Sequence, residues 1–308
     1  MLACDAVCAR GVGLAVDALA GVTLHADAGE ILAVVGLPFS GPAALLHVAG
    51  GRLAPDRGTV RVAGMAVPAA VRAGVVGHVR AGAVGPGALT VAEWLQHVAA
   101  FRGGHRAARA VRVQAALALV GLGREAARRI AVLDRDAAEQ LAVATLALGA
   151  TGLLLLEDCF AGVHAGTRRL LADALADLAL QGRAILLAPR DVLAVEGLAT
   201  RVVMLRHGRL LADLRMAEVQ RDRVAELRFG GGALAGLARF LAHFPDAVRT
   251  GTGVTVPLRG GRTLEGVLAV CRAERIPVHG SAVRYRALDD LLTAPSRSPD
   301  PVRVAALG

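Results

Sequence analysis

Two glycines at the spacing of a phosphate-binding loop separate an apolar run, Ile31–Val35, from the helix-forming run Ala44–Val48. A loop of the pattern G-x-x-x-x-G-K-[ST] between a strand and a helix binds phosphate through backbone N–H groups, a lysine and a hydroxyl. The corresponding residues are Gly36, Leu37, Pro38, Phe39, Ser40, Gly41, Pro42, Ala43 and Ala44. Pro42 occupies the lysine position and Ala43 the hydroxyl position, and the sequence contains no lysine that could substitute. We therefore expect a loop of this shape with little or no affinity for nucleotide.

An acidic pair follows a second apolar run. Leu153–Leu156 is apolar throughout, which is typical of a central strand in a parallel sheet, and Glu157 and Asp158 come directly after it. Glu157 is the candidate metal ligand, because a carboxylate can hold Mg²⁺ through water. Asp158 is a candidate general base, which must lie within about 3 Å of the attacking water. A solvated acidic pair at the end of a strand is the alternative.

Composition limits the classes of function. The chain has 308 residues and a net charge of +9, and all of its basic side chains apart from histidine are arginine. The arginine content indicates either a surface for an anionic partner or the codon bias of a GC-rich genome. Aromatic residues make up 3% of the chain, which argues against base stacking, so we expect no nucleic-acid partner. Neither a transmembrane helix nor a signal peptide is predicted.

Metal ligation outside the acidic pair has little support. The four cysteines form no C-x-x-C pair and are expected to be reduced core residues. The histidines show no ligand spacing either, and we predict no metal site from His25, His47, His78 and His97.

The elements that position these residues alternate between strand and helix. Besides the two strands already named, strands are predicted at residues 59–63, 75–79, 184–187 and 201–205, and helices at 90–101, 107–120, 137–148 and 167–180. Thr90 and Glu93 form a predicted capping box. The first thirty residues suggest short strands with tight turns. This alternation predicts a mostly parallel, covered sheet. After residue 222 the pattern restarts as a small α+β domain, 223–294, followed by a flexible tail, 295–308, rich in Pro, Ser and Arg.

In their order and spacing, these segments resemble the ATP-binding subunit of an ABC transporter over roughly residues 1–220. The residues that carry the resemblance are the strand, loop and helix of 31–50, the turn 55–58, Leu89–Val91, the strand and loop 153–164, and the hairpin 201–211. The resemblance implies an α/β, P-loop NTPase-like cassette at 1–222 with a mostly parallel sheet core, a β subdomain and a helical subdomain at about 88–150. It also implies ATP and Mg²⁺ as cofactors. Residues 224–293 resemble, less specifically, the C-terminal regulatory domain of drug- and polysaccharide-exporter cassettes.

Most catalytic positions of that family are altered in this chain. The family's Leu-Ser-Gly-Gly-Gln signature corresponds to Leu133, Asp134, Arg135, Asp136 and Ala137, which puts carboxylates where an anion should bind. Arg190 replaces the switch histidine, and we expect it to form a salt bridge with Asp191 or another neighbour. Ala81 stands near the expected position of the switch glutamine, and Gly11–Val12 occupy the stretch of the adenine-stacking aromatic. The D-loop aspartate position holds His164, which we expect to be solvated. Phe39 either fills the phosphate space or packs inside its loop.

The expected function is therefore that of a degenerate ATP-binding-cassette subunit of an ABC exporter, structural or regulatory in role. It would lie on the cytoplasmic face of the cell membrane, bound to a membrane-spanning subunit and paired with a second cassette. Two alternatives remain open. One is a weakly active ATPase that uses Glu157, Asp158 and backbone donors, and the other is a free-standing Arg-rich scaffold or anion-binding module.

Overall fold

The computed structural model describes residues 1–10, 17–80, 85–101, 103–149, 152–190, 192–195, 197–230, 234–251 and 253–285. The described chain forms two compact units, of which one comprises Met1–Asp213 and the other begins at Leu214. Each unit has its own apolar core. The positions expected for the switch glutamine, Ala81, and for the adenine-stacking aromatic, Gly11–Val12, lie outside the described residues, as does the tail 295–308.

The first unit alternates strands and helices. Its strands are β1 Leu2–Arg10, β2 Asp17–Ala26, β3 Ile31–Gly36, β4 Arg57–Val62, β5 Met65–Ala66, β6 Val76–Arg80, β7 Leu153–Glu157, β8 Ala184–Ala188, β9 Arg201–Arg206 and β10 Arg209–Arg215. Its helices are α1 Pro42–Ala49, α2 Val67–Arg72, α3 Val91–Phe101, α4 Arg106–Leu119, α5 Arg135–Gly149 and α6 Ala165–Leu180. Short 3₁₀ turns lie at Gly123–Glu125, Ile130–Val132 and Val192–Val195.

A six-stranded sheet in the order β10-β9-β3-β8-β7-β6 forms the centre of this unit. The pairs β9–β3, β3–β8, β8–β7 and β7–β6 are parallel, which confirms the predicted mostly parallel core. All residues of β7 and β8 are buried, because helices cover both faces of such a sheet. Parallel strands end at the same edge, so the loop after β3, Arg80, Glu157 and the segment after β8 converge there.

The N-terminal strands form a second, four-stranded sheet in the order β2-β1-β4-β5. The expectation of short strands in the first thirty residues is wrong, since β1 has nine residues and β2 has ten. Gly21 lies inside β2 with a φ of 80°, a conformation that glycine also adopts in turns. Register shifts between β1 and β2 let the paired strands continue through such irregular positions.

Helices α3, α4 and α5 pack against one another. The capping box at the start of α3 is confirmed, because Thr90 N–H donates to Glu93 Oε2 at 2.8 Å and Glu93 N–H donates to Thr90 Oγ1 at 3.2 Å. The Trp94 indole N–H donates to Thr145 Oγ1 at 3.0 Å and joins α3 to α5. Helix α4 ends before Gly121, whose φ of 71° suits glycine.

The second unit has α+β composition. Its elements are α7 Met216–Arg221, β11 Arg223–Phe229, α8 Leu234–His243, β12 Val248–Thr250, β13 Gly253–Pro257, α9 Leu264–Ala273 and β14 Val278–Tyr285. The strands form an antiparallel sheet in the order β12-β13-β11-β14. Side chains of this sheet, such as Val256, share a core with Phe240 of α8 and Val267 of α9.

Candidate functional site

The loop between β3 and α1 keeps the frame of a phosphate-binding loop. Gly41 precedes α1 with a φ of 111°, and a Cβ at this position would lie 2.5 Å from the carbonyl oxygen of Ala18, so only glycine fits. Pro42 is the first helical residue, where its missing N–H leaves no intrahelical bond unmade. The same residue removes a backbone donor from the loop. The frame therefore survives, while Pro42 and Ala43 supply neither an ammonium group nor a hydroxyl.

Phe39 projects from this loop. Its side chain is 88% exposed and its φ is 65°, so the interpretation that Phe39 packs inside the loop is wrong. The loop is instead held by its backbone, since Ser40 N–H donates to Leu37 O at 3.0 Å and Gly208 N–H donates to Ser40 O at 3.0 Å. His207 and Gly208, between β9 and β10, both have positive φ, as a two-residue hairpin turn of this type requires.

Two arginines hold the carboxylate of Asp158. Arg80, the last residue of β6, donates to Oδ2 from Nη2 at 2.8 Å and from Nε at 3.2 Å. Arg190, two residues after β8, donates from Nη2 to Oδ2 at 3.0 Å and from Nε to Oδ1 at 3.2 Å. We call these three residues the Asp158 clamp. Hydrogen bonds from Arg190 and then Arg80 lower the pKa of Asp158, although partial burial opposes them.

The clamp has a chemical consequence. Asp158 accepts four hydrogen bonds from two charged guanidinium groups, and these bonds stabilise its ionised form. The carboxylate is therefore a weak base, whereas a general base must take up a proton from water. Asp158 and Arg190, which the sequence placed at separate catalytic positions, neutralise each other in the structure. The salt bridge expected for Arg190 therefore forms with Asp158, whereas Asp191 lies outside the described residues. Sequence reasoning missed Arg80, because nothing local indicates that β6 lies beside β7.

Glu157 lies against two histidines. Its side chain is 9% exposed, and its Oε2 is 3.0 Å from Nε2 of His47 and 3.6 Å from Nε2 of His78. Ligand atoms of the three residues all lie within 4.8 Å of one another. No local spacing indicated this cluster, and the prediction of no metal site from His47 and His78 did not take it into account. Burial, followed by the positive charges of Arg52 and His47, lowers the pKa of His78 to about 4.

The segment at the signature position is bonded within the chain. Asp134 Oδ1 accepts the N–H of Ala137 at 2.8 Å and so caps helix α5. Asp136 accepts the N–H of His164 at 3.2 Å and the hydroxyl of Thr167, and the Thr167 bond is the main reason that the pKa of Asp136 is lowered. Leu133 precedes the helix, and Arg135, its first residue, is exposed. The His164 side chain is 89% exposed, as expected, yet its Nδ1 lies 3.1 Å from Asp136.

Glu139 is a further buried acid, and sequence reasoning missed it. It lies in α5, is fully buried, and accepts the N–H of Phe160 at 2.9 Å through Oε1. Burial raises its pKa. This bond ties α5 to the loop that follows Asp158. An acidic residue in the middle of a helix gives no local signal of such a partner.

The fold and this site define a class, the P-loop NTPase-like α/β cassette, and solved structures share it. An ATP-binding subunit of an ABC transporter superposes with a TM-score of 0.64 at 20% identity, covering 72% of this chain and 92% of that chain. A cassette in a dimeric post-hydrolysis state with ADP and Pi superposes with a TM-score of 0.63 at 19% identity, covering 70% and 99%.

Curated relatives define the family. The chain is 30% identical over 242 residues to the taurine import ATP-binding protein TauB of Chromobacterium violaceum, covering 73% of this chain and 87% of that protein. It is 32% identical over 211 residues to the aliphatic sulfonates import ATP-binding protein SsuB 2 of Burkholderia lata, covering 67% and 74%. The chain therefore belongs to the ATP-binding subunits of ABC transporters.

Other comparisons cover only part of a relative or give no match. The chain is 28% identical to the ribose import ATP-binding protein RbsA 1 of Streptomyces avermitilis, but it spans only 42% of that protein's length. No family model matches the chain. Among the described residues, no helix is long and apolar enough to span a membrane.

Proposed function

We propose that this chain is a structural or regulatory cassette subunit of an ABC-type exporter, with little or no ATP hydrolysis of its own. It pairs with a second cassette and binds a membrane-spanning subunit at the cytoplasmic face of the cell membrane. The observation that carries the proposal is the Asp158 clamp, in which Arg80 and Arg190 occupy the carboxylate at the general-base position.

The phosphate-binding loop supports the same conclusion. Pro42 and Ala43 provide none of the side-chain groups that would hold a magnesium-bound triphosphate, and Pro42 also lacks an N–H. Glu157, the candidate Mg²⁺ ligand, already contacts His47. The residues present thus do not fit the Mg-ATP that the family implies. Removing one stabilising donor from an active site typically costs about 3–4 kcal/mol, or 10²–10³ in rate, and several are replaced here.

Export is favoured by the unit that follows the cassette. The relatives include import proteins and the macrolide export protein MacB of Pectobacterium atrosepticum, so family membership does not decide direction. The α+β unit of β11–β14 resembles the regulatory domain of exporter cassettes. The surface of α3 and α4 is the proposed contact with the membrane subunit, and it exposes Phe101 at 90% and Val111 at 68%.

The first test measures nucleotide binding and turnover on the full chain. A ligand that binds only the native state raises its stability by RT ln(1 + [L]/Kd), so we expect no melting shift with millimolar Mg-ATP and no phosphate release above background. A melting shift of several degrees, lost on Glu157→Gln, together with steady turnover, would establish the weak-ATPase alternative.

The second test concerns assembly. The chain is recovered from solubilised membranes with and without Mg-ATP, and we expect retention of a membrane partner in both. Charge reversals at Arg106 and Arg109 of α4 should weaken retention, whereas Arg72→Glu, at an exposed position of α2, should not. If no membrane partner is recovered, the free-standing anion-binding module is the better interpretation. Retention that requires ATP would contradict a nucleotide-independent role.

A further inference from the structure

We propose that His47, His78 and Glu157 form a binding site for one divalent transition-metal ion of the zinc class. The three residues come from α1, β6 and β7; Glu157 is the last residue of β7, and His78 lies two residues before the end of β6. The proposal concerns metal binding alone and does not depend on whether the cassette hydrolyses nucleotide.

The spacing of the donor atoms suits such an ion. Glu157 Oε2 lies 3.0 Å from Nε2 of His47 and 3.6 Å from Nε2 of His78, and all three ligand atoms fall within 4.8 Å of one another. A tetrahedral zinc ion with nitrogen and oxygen ligands at about 2.0–2.1 Å places its ligand atoms about 3.3–3.4 Å apart. Sub-ångström to ångström side-chain movements would bring the three atoms to this arrangement.

The buried ring of His78 is an independent indication of a missing ligand. Its side chain is 4% exposed, and neither Nδ1 nor Nε2 has a hydrogen-bond partner among the described residues. A buried nitrogen without a partner is costly, and native proteins satisfy almost all such groups. Gly50 makes room for the ring, because a Cβ there would lie 2.7 Å from Nδ1. The described protein groups thus leave both ring nitrogens of His78 without a hydrogen bond.

The donor set selects the class of ion. Two imidazole nitrogens and one carboxylate are typical of zinc sites that keep an open position, whereas Mg²⁺ and Ca²⁺ require oxygen ligands. The His47 side chain is 36% exposed, which leaves a route for the ion and room for water as a fourth ligand. On binding, Nε2 of His47 exchanges its contact with Glu157 for the ion, and the imidazole proton resides on Nδ1.

Neighbouring charges limit the affinity. Arg80 Nε lies 4.0 Å from Glu157 Oε1, and because Arg80 shares the single negative charge of Asp158 with Arg190, it also opposes a cation at this site. The positive charge of Arg52, which helps to lower the pKa of His78, also opposes a cation at this site. We therefore expect weaker binding than at a closed site with four protein ligands. A bound ion would connect α1, β6 and β7 and so hold the frame of the phosphate-binding loop without nucleotide.

The experiment uses the tag-free full chain after removal of metals with a chelator. Equilibrium dialysis against Zn²⁺ in excess Mg²⁺, with metal analysis, should give one zinc per chain, and Co²⁺ should give the visible absorption of a tetrahedral site. His47→Ala and Glu157→Gln should each weaken zinc binding at least about tenfold. The loss of a residue that only hydrogen-bonds a metal ligand already lowers metal affinity by about 10–100-fold, and the loss of a ligand itself should cost no less. The matched control is His97→Ala, which removes an exposed histidine of α3.

The partly exposed His47 is the first residue to replace, because removing the buried His78 also disturbs packing; circular dichroism checks that each variant folds. One zinc per chain, lost in both ligand variants and kept in the control, supports the proposal. Three results would overturn it: no stoichiometric zinc, equal affinity in His47→Ala, or displacement of zinc by Mg²⁺ at similar concentration.

Discussion

The Asp158 clamp predicts a measurable coupling energy between Asp158 and Arg190. The perturbation is a double-mutant cycle of Asp158→Asn and Arg190→Ala, since such a cycle isolates the pairwise interaction from the separate effects of each change. The two side chains share hydrogen bonds of 3.0 and 3.2 Å. We expect the double variant to be more stable than the sum of the two single changes implies.

The magnitude follows from geometry and exposure. Hydrogen bonds to charged groups contribute about 1.5–3 kcal/mol when protected from water. Here the Arg190 side chain is 68% exposed and that of Asp158 is 22% exposed, so solvent screens much of the interaction. Exposed ion pairs contribute about 0.2–1 kcal/mol, and the paired contacts place this one at the upper end, at about 1 kcal/mol. Arg80→Ala in the same cycle should give a similar value.

The assay is urea unfolding at low ionic strength across a pH series. Because the folded-state pKa of Asp158 is lowered from 3.8, the coupling is fully present above about pH 4 and is lost as the pH falls through the lower folded value. Added salt should reduce it. A coupling of zero at pH 7, or one that persists unchanged after acidification, would refute the clamp. Turnover of ATP by Arg190→Ala would show that the arginine alone suppressed an intact site.

Other predictions concern the loop, the partly buried Arg201 and the buried Glu139. The triple variant Phe39→Gly, Pro42→Lys, Ala43→Ser should bind Mg-ATP in a thermal-shift assay yet hydrolyse none, and steady turnover would show that Asp158 can act as a base. Arg201→Met should lower the free energy of unfolding by about 1.5–3 kcal/mol, because the partly buried Arg201 donates to Asp213 and Glu30. Arg209→Met, at an exposed position of β10, should change it by less than about 0.5 kcal/mol. Glu139→Ala should lower the free energy of urea unfolding by about 1–3 kcal/mol, because it leaves the Phe160 N–H without an acceptor, whereas Glu139→Gln, which keeps an acceptor, should lose less.

Local features of the fold were predictable because their causes are local. The apolar runs Ile31–Val35 and Leu153–Leu156 are strands, since residues buried on both faces need no polar alternation. The Thr90–Glu93 capping box involves residues three apart, and its bonds form as expected. The N-terminal strands were misjudged because glycine in a strand and glycine in a turn look alike in sequence.

In the functional site, too, local information and tertiary contacts determine different things. The sequence alone determined which residues stand at the loop, the acidic pair and the signature, and hence that lysine and the loop hydroxyl are absent. Only the tertiary structure decided that Arg80 and Arg190 hold Asp158 and that His47 and His78 meet Glu157. These contacts join residues 32 to 110 positions apart, because segments distant in the chain become neighbours around a parallel sheet. Burial of whole sheet faces sets that strand order, and no short stretch of sequence encodes it.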